Sequence, residues 1–288
     1  MEKTFVNSHT VAILLSTYNG DKYIAELLDS LLSQTNKDYT IYVRDDGSSD
    51  NTLSIIQSYQ NKSSQIVVVE SIGNIGSKLS FLLLMKQIKS KLYMFCDQDD
   101  VWMPNKIQLS VDQIQKIQNK YPDKPIIVHT DLQLVDKNLK IIADSYWNFC
   151  HMPVDMSHRF ELLCHFGDIT GCAMIFNTKA RDLTLSYANI NLPKNIYHDY
   201  LVALATSCNN GLIKPIHKTT IKFRRHGDNE TDPLSKNKSI LSKIYNIRSC
   251  YDYVIDQHHR WLFYNNFKDQ SFMRFLFYKV KTKLLQNL

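Results

Sequence analysis

Short apolar runs alternate with segments of helical periodicity through the first half of the chain, and this alternation restricts the fold more than any other feature. The apolar runs lie at residues 11–15, 40–43, 66–69 and 92–96. The segments between them repeat apolar residues at three- and four-residue spacing, as in Ile24–Leu32. Strand–helix units of this length predict a parallel sheet with right-handed crossovers and helices on both faces.

The second half of the chain is less regular, although it continues the same mixture of elements. Further strands are predicted at residues 126–130, 171–176 and 219–223. A helix is predicted at 199–208, and helical periodicity returns from 235 to 288 with little glycine or proline.

This pattern predicts two parts of the chain. An α/β domain is expected over residues 1–230, with halves at about 10–105 and 106–230. A helical extension is expected over residues 231–288. The predicted fold class is therefore α/β, with a mixed, mostly parallel sheet flanked by helices.

Composition excludes several classes of protein. The 288 residues are 44% hydrophobic and 22% charged, which excludes collagen-like, disordered and disulfide-scaffold chains. A net charge of +6 is mild and far from the dense basic stripe of a nucleic-acid binder, so no nucleic-acid partner is expected. Six scattered cysteines without a C-x-x-C pair favour reduced thiols over disulfides or zinc. Without a membrane-length apolar run or a signal peptide, the chain is expected in the cytoplasm or at most peripheral to a membrane.

Polar clusters follow three of the predicted strands directly. They are Ser16–Asn19, Asp45–Asp46 and Asp97–Asp100. Ligands of open α/β sheets bind beyond the carboxyl ends of the strands, so the three clusters should converge on one crevice. Polar turn residues are common, but three clusters in equivalent places favour a ligand site.

The cluster Asp97-Gln-Asp-Asp100 has three carboxylates in four positions. Crowded carboxylates repel one another and need a cation or protons to coexist. Oxygen ligands suit Mg²⁺ or Mn²⁺, and Asp97 and Asp99 could both face such an ion. Asp100 could join them, or it could cap the helix that is expected from about Pro104.

The cluster Asp45–Asp46 offers a second pair of carboxylates. A carboxylate can accept the imide N–H of uracil or thymine, or a ribose hydroxyl; it can also build an Asx-turn and cap a helix. The ring of Tyr18 could stack on a base, or it could pack within the protein.

Three segments together resemble the inverting family 2 glycosyltransferases of GT-A fold, in order and in spacing. They are Val11–Gly20, Val43–Asp50 and Asp97–Pro104. Three later segments resemble the rhamnosyltransferase-like branch of that family, whose members build bacterial surface polysaccharides: Gly171–Asn177, His198–Tyr200 and Phe223–Asn229. The likeness covers roughly residues 10–230.

The resemblance implies a role for each matching residue on the donor side. Ser16 and Tyr18 would contact the nucleotide base, and Asp46 would bind the pyrimidine imide. Asp99 would coordinate a Mg²⁺ or Mn²⁺ ion at the diphosphate, with Asp97 as the other carboxylate on the metal or the ribose.

Three further residues acquire roles from the same resemblance. Asp199 matches the catalytic base, although a carboxylate at a helix start is also stabilised by the helix dipole. Arg225 and His226 match a basic element near the diphosphate, and His226 could instead be an ordinary loop histidine. Because successive strand residues face opposite ways, only one of Arg224 and Arg225 should face the cleft, and Arg225 is favoured.

The implied activity is metal-dependent transfer of a hexose, here L-rhamnose from dTDP-rhamnose, to a hydroxyl of a bacterial surface polysaccharide or lipid-linked precursor. A UDP-hexose donor is the alternative within the family. A sugar-phosphate nucleotidyltransferase should carry a basic, glycine-rich loop after the first strand, which Ser16–Gly20 lacks. A non-catalytic sugar-binding domain should have lost the acidic motif or the base.

The end of the chain is basic and rich in aromatic residues. Residues 260–288 combine phenylalanines with lysines and arginines. Such a segment could lie on an anionic membrane surface, at the inner face of the cell membrane, or could pack on the protein itself.

Overall fold

The computed structural model describes residues 4–227, apart from 72, 153, 157–159, 161–162, 164–168 and 189–195. The predicted helical extension over 231–288 and the basic aromatic segment therefore lie outside the described residues. Within the described part, no helix is long and apolar enough to cross a membrane.

The strands are β1 Phe5–Val6, β2 Val11–Thr17, β3 Tyr39–Asp45, β4 Ile66–Val68, β5 Ile88–Lys89, β6 Leu92–Cys96, β7 Val101–Trp102, β8 Ile126–Asp136, β9 Ile141–Ala143, β10 Met174–Asn177 and β11 Leu212–Arg225. The α-helices are α1 Ile24–Leu32, α2 Thr52–Gln60, α3 Ser77–Gln87, α4 Lys106–Lys120, α5 Tyr146–Phe149, α6 Thr178–Tyr187 and α7 His198–Cys208. Short 3₁₀ turns occupy Val154–Met156 and Gly171–Ala173.

Nine of these strands form one mixed sheet, in the order β4-β3-β2-β6-β10-β8-β11-β7, with β9 paired to β8. The first four are parallel neighbours, as the strand–helix units predict. β10 lies antiparallel between β6 and β8, and β8 and β11 then form a long parallel ribbon. The expected α/β fold with a mixed sheet is confirmed.

The central strand β2 shows why the first half is regular. Val11, Ile13 and Leu15 belong to one apolar cluster with α1 and α4, whereas Ala12 and Leu14 belong to a second cluster with α3 and α7. Because helices cover both faces, the strand reads as a continuous apolar run instead of an alternating one.

Several predicted boundaries are wrong, for reasons that lie in tertiary contacts. β8 continues to Asp136 because Asp131, a charged residue within the strand, is satisfied there. Its carboxylate accepts hydrogen bonds from the Ser145 hydroxyl (2.5 Å) and the Trp147 N–H (3.1 Å). Residues 171–173 form a 3₁₀ turn instead of a strand, closed by the Ala173 N–H on the Thr170 carbonyl (3.0 Å).

Helix starts also differ from the prediction. The helix expected near Pro104 begins at Lys106, because β7 comes first and pairs with β11. The residue before α1, Tyr23, makes no side-chain cap. Asp50 accepts the N–H of Thr52, the first residue of α2, at 3.0 Å.

Candidate active site

The three predicted polar clusters lie together at the carboxyl ends of β2, β3 and β6. The strands end in register, with Thr17 opposite Asp45 and Leu15 opposite Cys96. Gln98 joins two of the following loops: its side chain accepts the Tyr18 N–H at 2.8 Å and donates to the Tyr18 carbonyl at 2.9 Å. The predicted convergence is therefore present, with Ser16 partly buried and the Tyr18 side chain 48% exposed at this edge.

Asp45 builds the turn after β3. Its carboxylate accepts the Thr17 hydroxyl at 3.0 Å and the N–H groups of Gly47 (3.1 Å) and Ser48 (2.9 Å). This is the Asx-turn that the sequence allowed for the pair, and it fixes the neighbouring Asp46.

Asp46 is 2% exposed, and its carboxylate is hydrogen bonded to the loop at residues 73–76. Its two oxygens accept the N–H groups of Ile75 (2.9 Å) and Gly76 (2.8 Å), and Arg44 donates to it as well. Buried Arg44 also donates to the Gly73 carbonyl at 2.9 Å. The loop at residues 73–76 therefore lies directly at the carboxylate expected to bind the base.

The acidic loop separates into exposed and buried carboxylates. Asp97 and Asp99 are partly exposed, whereas Asp100 is 1% exposed. Asp100 does not cap α4; it accepts the Arg224 N–H at 3.1 Å. Burial, with the charges of Asp99 and Asp97, raises the pKa of Asp100 well above its usual range.

The end of β11 holds this acidic loop from the other side. Arg224 is buried and donates to the Asp99 carbonyl at 2.8 Å and to the Glu26 carboxylate. His226 Nε2 lies 2.7 Å from Asp99 Oδ2. Arg225 is partly exposed. The predicted basic element and acidic motif are thus brought together across 127 positions of sequence.

Asp199 lies in the first turn of α7 and reaches the same region through a glycine. Its Oδ2 accepts the Gly171 N–H at 2.9 Å. The next residue, Cys172, places its sulfur within 4.8 Å of carboxylate oxygens of Asp97 and Asp100. A Cβ at Gly171 would lie 3.1 Å from the Asp199 Cβ, so any larger residue would have to displace Asp199 by a few tenths of an ångström.

His198, beside Asp199, ties α7 to the first half of the sheet. Its ring stacks on Phe81 at 4.0 Å and meets Phe95 edge-on at 4.6 Å. Burial, with the nearby charge of Lys78, lowers the pKa of His198 to about 3. The ring is therefore neutral and acts as a packing group.

The chemistry of the partly exposed carboxylates in the acidic loop fits a hard divalent cation. Asp97 and Asp99 offer partly exposed carboxylate oxygens, which Mg²⁺ and Mn²⁺ prefer. Burial and the charge of Asp100 raise the pKa of the Cys172 thiol well above its ordinary value, so it stays protonated and is a poor ligand.

Sequence reasoning missed four residues that hold the site: Arg44, Gln98, Gly171 and Glu26. Arg44 could have been noticed in the sequence, because it is a charged residue directly after an apolar run that predicts a buried strand. The contacts of Gln98, Gly171 and Glu26 join residues far apart in sequence and have no local signature.

Comparison with known proteins places these observations in a family. Residues 12–179, more than half of the chain, match the family model described as glycosyl transferase family 2. An uncharacterized glycosyltransferase of Rickettsia prowazekii is 35% identical over 135 residues, which cover 47% of this chain and 40% of the relative. A dTDP-rhamnosyl transferase of Shigella flexneri, RfbG, is 35% identical over 103 residues, which cover 34% of this chain and 36% of the relative. The chain thus spans less than half the length of these relatives.

Solved structures show the same fold. Staphylococcus aureus TarS 1–349 in complex with UDP-GlcNAc aligns with a TM-score of 0.54 and 21% identity, over 80% of this chain and 61% of TarS 1–349. The mannosyltransferase PcManGT of Pyrobaculum calidifontis, in complex with GDP-Man and Mn²⁺, aligns with a TM-score of 0.51 and 14% identity, over 73% and 55%. These are GT-A glycosyltransferases, and the expected GT-A fold is confirmed.

Proposed function

The chain belongs to glycosyl transferase family 2, and we propose that it is an inverting, metal-dependent enzyme that transfers a hexose from a nucleoside diphosphate sugar to a saccharide hydroxyl. One observation carries the proposal. Asp199 accepts the Gly171 N–H, and the sulfur of the next residue, Cys172, lies within 4.8 Å of carboxylate oxygens of Asp97 and Asp100. A carboxylate for the acceptor and an acidic motif for the donor therefore share one edge of the sheet.

The donor side is assigned to Asp97 and Asp99, which would hold the cation. A bound Mg²⁺ or Mn²⁺ supplies positive charge to the diphosphate as it leaves the sugar. His226, hydrogen bonded to Asp99, and Arg225 would add positive charge or donors beside the same diphosphate.

The acceptor side is assigned to Asp199. Its carboxylate would take the proton of the acceptor hydroxyl while the oxygen attacks the anomeric carbon. The bond from the Gly171 N–H orients the side chain at the start of α7. One displacement of this kind inverts the anomeric centre.

The base is assigned to Ser16, Tyr18 and Asp46. The exposed Tyr18 ring can stack on a base, and Asp46, which holds the loop at 73–76 through the N–H groups of Ile75 and Gly76, would accept the pyrimidine imide N–H beside that loop. One relative is named a dTDP-rhamnosyl transferase and one fold neighbour is in complex with UDP-GlcNAc, both pyrimidine nucleotide sugars, whereas a second fold neighbour is in complex with the purine nucleotide sugar GDP-Man. We take dTDP-rhamnose as the donor, with a UDP-hexose as the alternative.

The setting proposed is the synthesis of a bacterial surface polysaccharide, on a saccharide or lipid-linked acceptor in the cytoplasm. The basic aromatic segment at 260–288 would hold the enzyme at the inner face of the membrane. Deleting residues 260–288 should then abolish sedimentation with anionic vesicles. Unchanged sedimentation would contradict membrane contact without affecting the transferase assignment.

A donor panel tests the main assignment. Thermal unfolding would be followed with dTDP-rhamnose, UDP-glucose, UDP-GlcNAc and GDP-mannose, each with and without Mn²⁺. We expect stabilisation by a pyrimidine donor, only with the metal, and its loss in Asp46→Ala. Stabilisation by GDP-mannose alone, or by no donor under any metal, would contradict the proposal.

A further inference from the structure

Four buried polar atoms have no hydrogen-bonding partner among the described residues, apart from the weak thiol donor of Cys172, and they lie along the chain just after the partly exposed acidic carboxylates. They are Asp100 Oδ2, Trp102 Nε1, Lys106 Nζ and Ser110 Oγ. They belong to the loop, to β7 and to the first turns of α4, where Lys106 and Ser110 share a helix face. Buried polar groups are almost always paired, so four in one stretch require an explanation.

The charges in this cluster oppose one another. Lys106 is fully buried, and its ammonium lies 4.6 Å from the Trp102 ring centroid. Burial lowers the pKa of Lys106 to about 8, while the nearby Cys172, Cys96 and Asp100 act in the opposite direction. The Lys106 amine is therefore a buried polar group close to the acidic loop, and it has no hydrogen-bonding partner among the described residues.

This arrangement sits next to the carboxylates assigned to the cation. Asp100 follows Asp99 directly, and its Oδ1 accepts the Arg224 N–H at 3.1 Å. The second carboxylate oxygen of Asp100, Oδ2, is one of the four buried atoms without a partner. A buried water makes about three hydrogen bonds to such atoms, and a hydroxyl, an ammonium and a carboxylate oxygen are suitable partners.

We infer that Lys106 is a positioning residue for the acidic loop. Together with an ordered water shared by Asp100 and Ser110, it holds the loop in place. It thereby keeps Asp97 and Asp99 in position for the metal. The inference rests on the proposed function, because it concerns the same metal site. It assigns to α4 a part in metal binding that the acidic motif alone does not provide.

The direction in which Mn²⁺ affinity changes when Lys106 is replaced separates this positioning role from a simple charge effect. Removing a buried positive charge near a cation site should tighten metal binding if the loop keeps its shape. Loss of an anchor should weaken it instead, because supporting partners of metal ligands typically contribute 10–100-fold in affinity.

The experiment is Mn²⁺ binding to the full chain, followed by electron paramagnetic resonance of the free ion. Lys106→Met should weaken Mn²⁺ binding about tenfold, and Lys106→Arg should recover part of the loss. Lys116→Met, an exposed lysine of the same helix, is the matched control and should bind as the wild type does.

Ser110→Ala keeps the charge and serves if Lys106→Met does not fold. It should weaken Mn²⁺ binding about threefold, since the water loses one partner. Binding by Lys106→Met that equals or exceeds the wild type would overturn the inference, as would unchanged binding by Ser110→Ala. Absence of Mn²⁺ binding in the wild type would instead contradict the proposed metal dependence.

Discussion

The half proposed to bind the donor (the donor half, residues 10–105) and the half proposed to bind the acceptor (the acceptor half, residues 106–230, described to 227) build the same edge of the sheet in different ways. In the donor half, parallel strands end in register and their loops begin at once with the polar residues. In the acceptor half, Asp199 comes from a helix start and His226 from the end of a long ribbon. The two halves therefore differ in how much of the site is local in sequence.

They also differ in where the partners of each carboxylate come from. Asp46 accepts two backbone N–H groups and an arginine, all from the donor half. Asp199 accepts the Gly171 N–H from 28 residues away and the N–H of the next residue, Tyr200. We expect catalysis to be more sensitive to small changes near Asp199 than donor binding is to small changes near its carboxylates.

The largest effect is expected from Gly171→Ala. A methyl group there would lie 3.1 Å from the Asp199 Cβ and push the carboxylate from its place. Displacement of a reacting group by about 1 Å can cost about 100-fold in rate, so kcat should fall by up to roughly that factor. Donor affinity, measured by titration calorimetry, should stay within about twofold. Equal losses in kcat and donor affinity would break the distinction between the halves.

A smaller effect concerns acid stability at the junction of the halves. The pKa of His198 is lowered to about 3, so between pH 6.5 and 3 only the unfolded chain binds that proton and stability falls as pH falls. His198→Phe keeps an aromatic ring against Phe81 and removes the titration. Between pH 7 and 5 the variant should lose about 2 kcal/mol less free energy of unfolding than the wild type.

Urea unfolding at the two pH values measures that difference. Buried His129, whose pKa is also lowered to about 3, remains in the variant and keeps part of the acid sensitivity. If the variant and the wild type lost the same free energy of unfolding between pH 7 and 5, His198 would have to be protonated in the folded state.

The smallest effect is expected from Gly20→Ala in the donor half. Its methyl group would meet the Gln98 side chain at 2.4 Å, and that flexible end can move aside. The two bonds from Gln98 to the Tyr18 backbone would be lost, so donor affinity should fall about tenfold with little change in kcat. A kcat loss larger than the affinity loss would contradict the assignment of this loop to the donor.

The same contrast explains what the sequence could predict. The strands of the donor half are buried on both faces, so apolar runs located them, and the carboxylates followed from the strand ends. Asp131 inside β8 and the 3₁₀ turn at Gly171 depend on partners elsewhere in the chain, so the acceptor half was predicted with wrong boundaries. The roles of Arg225 and His226 stay predictions, while the buried contacts of Arg224 had no local signal.

Donor titration of three proteins in the presence of Mn²⁺ tests the central claim most directly: the wild type, Asp99→Asn and Asp199→Asn. The account predicts that Asp99→Asn loses at least about tenfold in donor affinity, because the carboxylate assigned to the metal is gone. It predicts that Asp199→Asn binds the donor within about twofold of the wild type yet transfers no sugar at a measurable rate. Wild-type affinity in Asp99→Asn, or an equal loss in both variants, would contradict it.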